Sequence, residues 1–253
     1  MDDISKSVGN DSINSKIVAA RCHEIQTCLG NLSVPEYEQL VIIGMAVKVA
    51  LHIRGLPLIN YEVLKLVCHH FLNIPTIALP QVVRLLAEIE FVYLQTQGST
   101  IKSVLPDVPY YDGLYEGVGE FLENETTFTE AEQLTLSITD RLAAAPENVD
   151  RLRNSLGVET DFFKRNLDIG QQGRFLTIRR HRGRDIAINP TYFSENAEIF
   201  SDHVAASGSQ FVAEILDSLK QYQGWPLAVI KNSAKIGQIE VETNQIRLLE
   251  RLA

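Results

Sequence analysis

An internal repeat limits how this chain can fold more than any other feature. Glu36-Tyr37-Glu38-Gln39-Leu40 returns 94 residues later as Glu130-Ala131-Glu132-Gln133-Leu134. Phe91-Val92-Tyr93-Leu94 leads through Gly98 to Ile101 and Pro106, and Phe175-Leu176-Thr177-Ile178 leads through Gly183 to Ile186 and Pro190. An aromatic pair follows each proline, Tyr110-Tyr111 and then Tyr192-Phe193. A recurrence in fixed order implies one supersecondary unit built twice. The second offset, 91 to 175, is 84, so the second copy is about ten residues shorter between its first helix and its hairpin.

Both copies read alike. Ser33 with Glu36 and Thr129 with Glu132 have capping-box spacing, so both repeats open on a helix start. In the first copy the pattern predicts a helix over 37–53, a short extended piece at Leu56–Ile59, a helix capped by Asn60, a turn at Asn73-Ile74-Pro75, and a third helix over 79–90. A hairpin over 92–104 follows, with Gly98 in its loop. In the second copy the helices fall over 130–143, 148–155 and 159–168, with a hairpin over 174–188. The expected fold class is mainly α with small β-hairpins. The chain divides into an N-terminal arm and helix (1–32), one copy (33–106), an acidic linker (107–128), a second copy (129–190) and a C-terminal helical region (191–253). Val18, Cys22, Ile25 and Leu29 make an apolar stripe on the N-terminal helix. The last region reads as helices over 194–204, 210–222 and 243–252 with Trp225 at a turn, forming a degenerate third unit or a docking element.

Net charge is −9, unevenly spread. Between Arg151 and Asp185 nine Arg/Lys face four Asp/Glu, whereas 105–132 holds eight acids and no base. A basic module in an acidic chain argues for a local anion contact and against wrapping nucleic acid over the whole surface. Three scattered cysteines and a polar start fit a reducing, cytoplasmic protein without a signal peptide. The longest apolar run, Leu40 to Leu51, is broken by Lys48 and is too short for a membrane span of about 20 residues.

The basic residues concentrate at the second hairpin: Arg174, Arg179, Arg180, His181, Arg182 and Arg184. A protruding ribbon of guanidinium groups suits phosphate, which the planar fork binds bidentately. Lys164 and Arg165 add to it from the third helix, but Glu159 and Asp161 sit at that helix's start and oppose base reading. Pairing with the chain's own acids is the alternative for the hairpin. The first helix is apolar nearly all round, so Leu40, Ile43, Val47 and Leu51 are candidates for a partner face, with cover from within the chain as the alternative. Cys68-His69-His70 lacks paired-ligand spacing, so no metal or cofactor is expected. Gly113-x-x-x-Gly117-x-Gly119 is no phosphate loop, and no nucleophile elbow appears, so no enzyme is expected.

Helix, short strand, helix, turn, helix and hairpin is the element order of the winged helix, which residues 33–190 resemble twice over. A tandem winged-helix protein with an apolar first helix and one basic hairpin resembles the kite-type accessory subunits of SMC complexes. The resemblance implies a non-enzymatic partner of an SMC-type ATPase or a kleisin, able to dimerise and to touch double-stranded DNA. It places the chain in chromosome organisation or in defence against plasmids and phage. An autonomous transcription regulator and a pure protein-interaction scaffold are the competing readings.

Overall fold

The computed structural model describes residues 14–221, 235–236 and 239–240. They form a mainly helical protein with two small antiparallel three-stranded sheets. The expectations for Trp225 and for a helix over 243–252 lie outside the described residues. The chain divides into two compact units, Met1–Leu136 and Ser137–Ala253.

The first unit contains α1 (Ser15–Leu29), a 3-10 turn (Pro35–Tyr37), α2 (Glu38–Ile53), β1 (Ile59–Asn60), α3 (Tyr61–Phe71), α4 (Leu79–Glu88), β2 (Val92–Gln97), β3 (Thr100–Pro106) and α5 (Tyr111–Glu125). Helix α6 (Glu130–Ala144) spans the division. The second unit continues with β4 (Glu147–Asn148), α7 (Val149–Leu156), α8 (Thr160–Gln172), β5 (Thr177–His181), β6 (Arg184–Ile188), α9 (Pro190–Phe193), α10 (Ala197–Ser207) and α11 (Ser209–Gln221).

The repeat survives at the level of register. Strand order is β1-β3-β2 in one sheet and β4-β6-β5 in the other. Ile59 and Asn60 pair with Val104 and Ser103, as Glu147 and Asn148 pair with Ala187 and Ile186. Each two-residue strand ends on an asparagine that caps the next helix. The Asn60 side chain accepts from the backbone N–H groups of Glu62 and Val63, and that of Asn148 from Arg151. Short polar side chains are favoured there because they satisfy N–H groups that have no partner within the helix. Each third helix is followed by a left-handed non-glycine residue, Glu90 (φ 61) and Arg174 (φ 62), 84 positions apart.

The two helix starts that open the repeats differ. The Thr129–Glu132 box forms as expected, with Thr129 N donating to Glu132 Oε2 at 2.8 Å and Glu132 N to Thr129 Oγ1 at 3.2 Å. The Ser33–Glu36 box does not. A 3-10 turn precedes α2, and neither Val34 nor Tyr37 at the two helix starts caps with its own side chain. The missing cap comes from the other repeat: Glu132 Oε1, fully buried, accepts from Leu40 N in the first turn of α2 at 2.8 Å. One carboxylate therefore closes two helix N-termini, where negative charge also suits the helix dipoles.

The stretch expected as an acidic linker is largely the helix α5. Leu114, Val118 and Leu122 recur at helical spacing and are buried, and α5 packs on α1 and α2. Glycines allow close approach of the backbones. A Cβ on Gly44 of α2 would lie 2.4 Å from the Cys22 carbonyl oxygen of α1, and one on Gly119 of α5 would lie 2.8 Å from Lys16 N. The Gly113-x-x-x-Gly117-x-Gly119 pattern thus belongs to helix packing. No helix of the described residues is long and apolar enough to cross a membrane.

Candidate interaction surfaces

The second hairpin folds as a two-residue turn at Arg182 (φ 48) and Gly183 (φ 76), both left-handed, which matches the twist of the flanking strands. Strand alternation splits its side chains between two faces. Ile186 and Ile188 lie on the outer face, in a core with Phe193, Phe200 and Val204. Helix α10 packs against all three strands and supplies that cover.

The same helix engages the basic residues. Arg179 Nη1 lies 3.5 Å from Glu198 Oε1. Arg182 grips Asp202 through Nε–Oδ1 at 2.7 Å and Nη2–Oδ2 at 3.1 Å. Arg184 Nη1 donates to the Ala205 carbonyl at 3.0 Å. The Arg182 guanidinium holds the Asp202 carboxyl below the usual carboxylate range, with the nearby His203 and His181 acting the same way. The hairpin is therefore a ribbon, as expected, but half of its arginines face the protein's own acids. Both ion pairs are largely exposed and individually weak, so an outside phosphate can compete for them. Arg174 and Arg180 are exposed and form no ion pair among the described residues.

Helix α8 is a poor reader of bases. Its N-cap is Glu159, whose carboxylate accepts from the N–H groups of Asp161 and Phe162, both at 2.9 Å. These two bonds hold the Glu159 carboxyl below its ordinary range. A carboxylate on the amides at that helix end excludes a phosphate from them. Lys164 is exposed, and Arg165, also exposed, is engaged within the chain.

The expected partner face on the first helix is corrected by the structure. Leu40, Ile43 and Val47 are fully buried and Leu51 half-buried, because α1, α4 and α5 pack around α2 within the same unit. Exposed apolar surface lies elsewhere. Helix α3 turns Val63, Leu66, Val67 and Phe71 outward, with Phe71 79% exposed. Their counterparts 88 positions on are Arg151, Asn154 and Ser155 in α7 and Glu159 at the cap of α8, all polar. The spacing of the α3 stripe is visible in the sequence, but periodicity alone does not say which of a helix's faces is covered. A groove of 520 Å³ also opens in the first unit between α4 and α5, lined among others by Ile77, Arg84 and Phe121.

No group of three His, Cys, Asp or Glu that could hold a metal ion occurs among the described residues. Burial pushes the Cys68 thiol up to about 11, and His69 and His70 beside it point to solvent. His23 Nδ1 lies 3.0 Å from the Tyr115 hydroxyl, and burial lowers its pKa. Compared with known proteins, the chain matches no family model, no curated protein and no solved structure.

Proposed function

We propose that this is a tandem winged-helix protein that works by binding, as a non-enzymatic accessory subunit of a multiprotein assembly on DNA. The observation that carries the reading is the duplicated helix–strand–helix–helix–hairpin order with matching strand order and register. In this reading DNA is met at the backbone, by Lys164, Arg174 and Arg180, with Arg179, Arg182 and Arg184 exchanging their internal partners for phosphate. Base reading is disfavoured by the Glu159 cap on α8.

The test is duplex binding by the full chain as salt is varied. Six phosphate contacts correspond to a log–log slope of about −5, independent of sequence. The triple variant K164E/R174E/R180E is expected to weaken that binding for every sequence alike and to flatten the slope by at least about 3. A single preferred sequence would instead favour a transcription regulator. No binding at low salt would sink the DNA contact and leave a protein scaffold. That second reading is favoured by the pairing of Arg179 and Arg182 with Glu198 and Asp202, and by the outward apolar stripe of α3. Co-purification with an SMC-type ATPase or a kleisin supports the accessory-subunit reading, and neither outcome requires the chain to dimerise.

A further inference from the structure

The two sheets share a register, so their outer faces compare residue by residue. Val104 and Ala187 are equivalent, since each pairs with the first residue of its unit's short strand. Leu105 then corresponds to Ile188, and in the aromatic pairs that follow the two hairpins Tyr111 corresponds to Phe193. In the second unit these positions are 1% and 5% exposed beneath α10. In the first they are 41% and 57% exposed, and Tyr110 beside them is 82% exposed. Leu105 pairs directly with Tyr93, which is also exposed, and the β1–β3 register carried back one residue sets the exposed Leu58 on its other side. An apolar row thus crosses all three strands where the second unit has a helix.

The geometry points to this outer face of the β1-β3-β2 sheet as the docking site for an acidic amphipathic helix of another protein, seated as α10 seats on its own sheet. The second unit defines the occupant's chemistry. Helix α10 presents Phe200 and Val204 to the strands and carries Glu198 and Asp202 toward arginines. The first unit offers matching cations. Lys102, the extra residue of a bulge in β3 beside Ser103, is exposed. Arg54 stacks on the exposed Tyr110 and Tyr111 rings at 5.0 and 4.5 Å, and its Nη1 has no hydrogen-bond acceptor among the described residues. That atom is buried, so what Arg54 offers a carboxylate on the incoming helix is its charge. An aromatic pair topped by a guanidinium is also the composition of binding hot spots.

This inference deepens the accessory-subunit reading and rests on it. The test pans a displayed library of helical peptides on the full chain and measures the best binders against wild type and the L105E/Y110E variant. Selected peptides are expected to be acidic and amphipathic, and to lose at least tenfold in affinity for the variant. On wild type they are expected to protect the amides of 92–106 from hydrogen exchange, a readout that stands even if the variant misfolds. The proposal is overturned by a library that yields no binder, by binders without an acidic face, or by protection confined to other segments. Self-association of the wild type that protects 92–106 also overturns it, because the occupant would then be a second copy. Duplex binding measured in parallel separates the two failures: DNA bound without peptide sinks only the docking site, and neither bound sinks the accessory reading as well.

Discussion

Where the second unit carries Ile188 beneath α10, the first carries Leu105 in the open; where the second buries Phe193, the first exposes Tyr111. The helix α6 that opens the second copy has Ile138 at the position where α2 has Gly44, 94 residues earlier. In the first unit the added helices α1 and α5 go to the first helix of the repeat, and the sheet's outer face is left open. In the second the added helix α10 goes to the sheet and α11 packs on α10. One strand order with two patterns of cover yields one unit that seals its own sheet and one that offers it. The comparison teaches that a duplicated topology fixes the core face of each sheet, while the flanking segments decide which outer surface remains for binding.

The strongest way to break this comparison is to truncate both members of one register pair. Ile188→Ala removes packed methylenes from a closed core, and the expected loss is about 2–5 kcal/mol in urea unfolding. Leu105→Ala shortens a half-exposed side chain, and the expected loss is under about 1 kcal/mol. Equal costs at the two positions would mean that the outer face of the first sheet is closed after all.

The next effect tests the cover over the first helix. Gly44→Val puts side-chain atoms into the Cys22 carbonyl and the Gln26 Cβ, so α1 and α2 must separate. Overpacking of this kind costs about 1–3 kcal/mol. Ile138→Val, at the equivalent position of α6, removes one buried methylene and is expected to cost about 1 kcal/mol. An effect of similar size is expected at Glu132. Glu132→Gln leaves one of its two backbone N–H partners facing an amide group that cannot accept, at about 1–3 kcal/mol. Its repeat partner Glu38 is exposed, and Glu38→Gln is expected to leave the unfolding midpoint unchanged.

Local rules legible in the sequence account for most of the fold. The asparagine caps, the hairpin turns and the repeat itself depend on neighbours a few residues apart, and Asn60, Asn148 and Arg182-Gly183 behave as their spacing implies. The failures are long-range. Glycines and acids in 111–125 read as a linker, although Leu114, Val118 and Leu122 carried the helical period; what makes α5 a helix is its packing on α1. The apolar sides of α2 read as a partner face for the same reason, since nothing in 38–53 says that α1 and α5 return to cover them. At the candidate site, the basic ribbon was legible as charge density. Its capture by Glu198 and Asp202 was not, because it depends on a helix some 20 positions downstream lying across the strands.

The smallest effect sharpens the comparison at that captured ribbon. In the second unit the Arg182 guanidinium depresses the Asp202 carboxyl, so the unfolded chain takes up that proton at a higher pH than the folded one. The pair's contribution is therefore fully present above the ordinary carboxylate pKa of about 3.9 and is lost as pH falls through the lowered folded value. Acidification from neutrality to about pH 5 is expected to leave the clasp intact, and further acidification to loosen it. NMR titration of the Asp202 carboxyl and exchange of the Arg182 Nε–H read this directly, and D202N removes the dependence. The first hairpin has Gln97, Gly98, Ser99 and Thr100 at its tip, without arginine or acid, so the chemical shifts of its tip amides are expected to ignore the same acid step. An Asp202 carboxyl that titrates at or above its ordinary value would mean that Arg182 is held elsewhere. Arg179–Glu198 would then be the ion pair left between α10 and the ribbon among the described residues, and the case for carboxylates on the helix that docks at the first sheet would lose the shorter of its two templates.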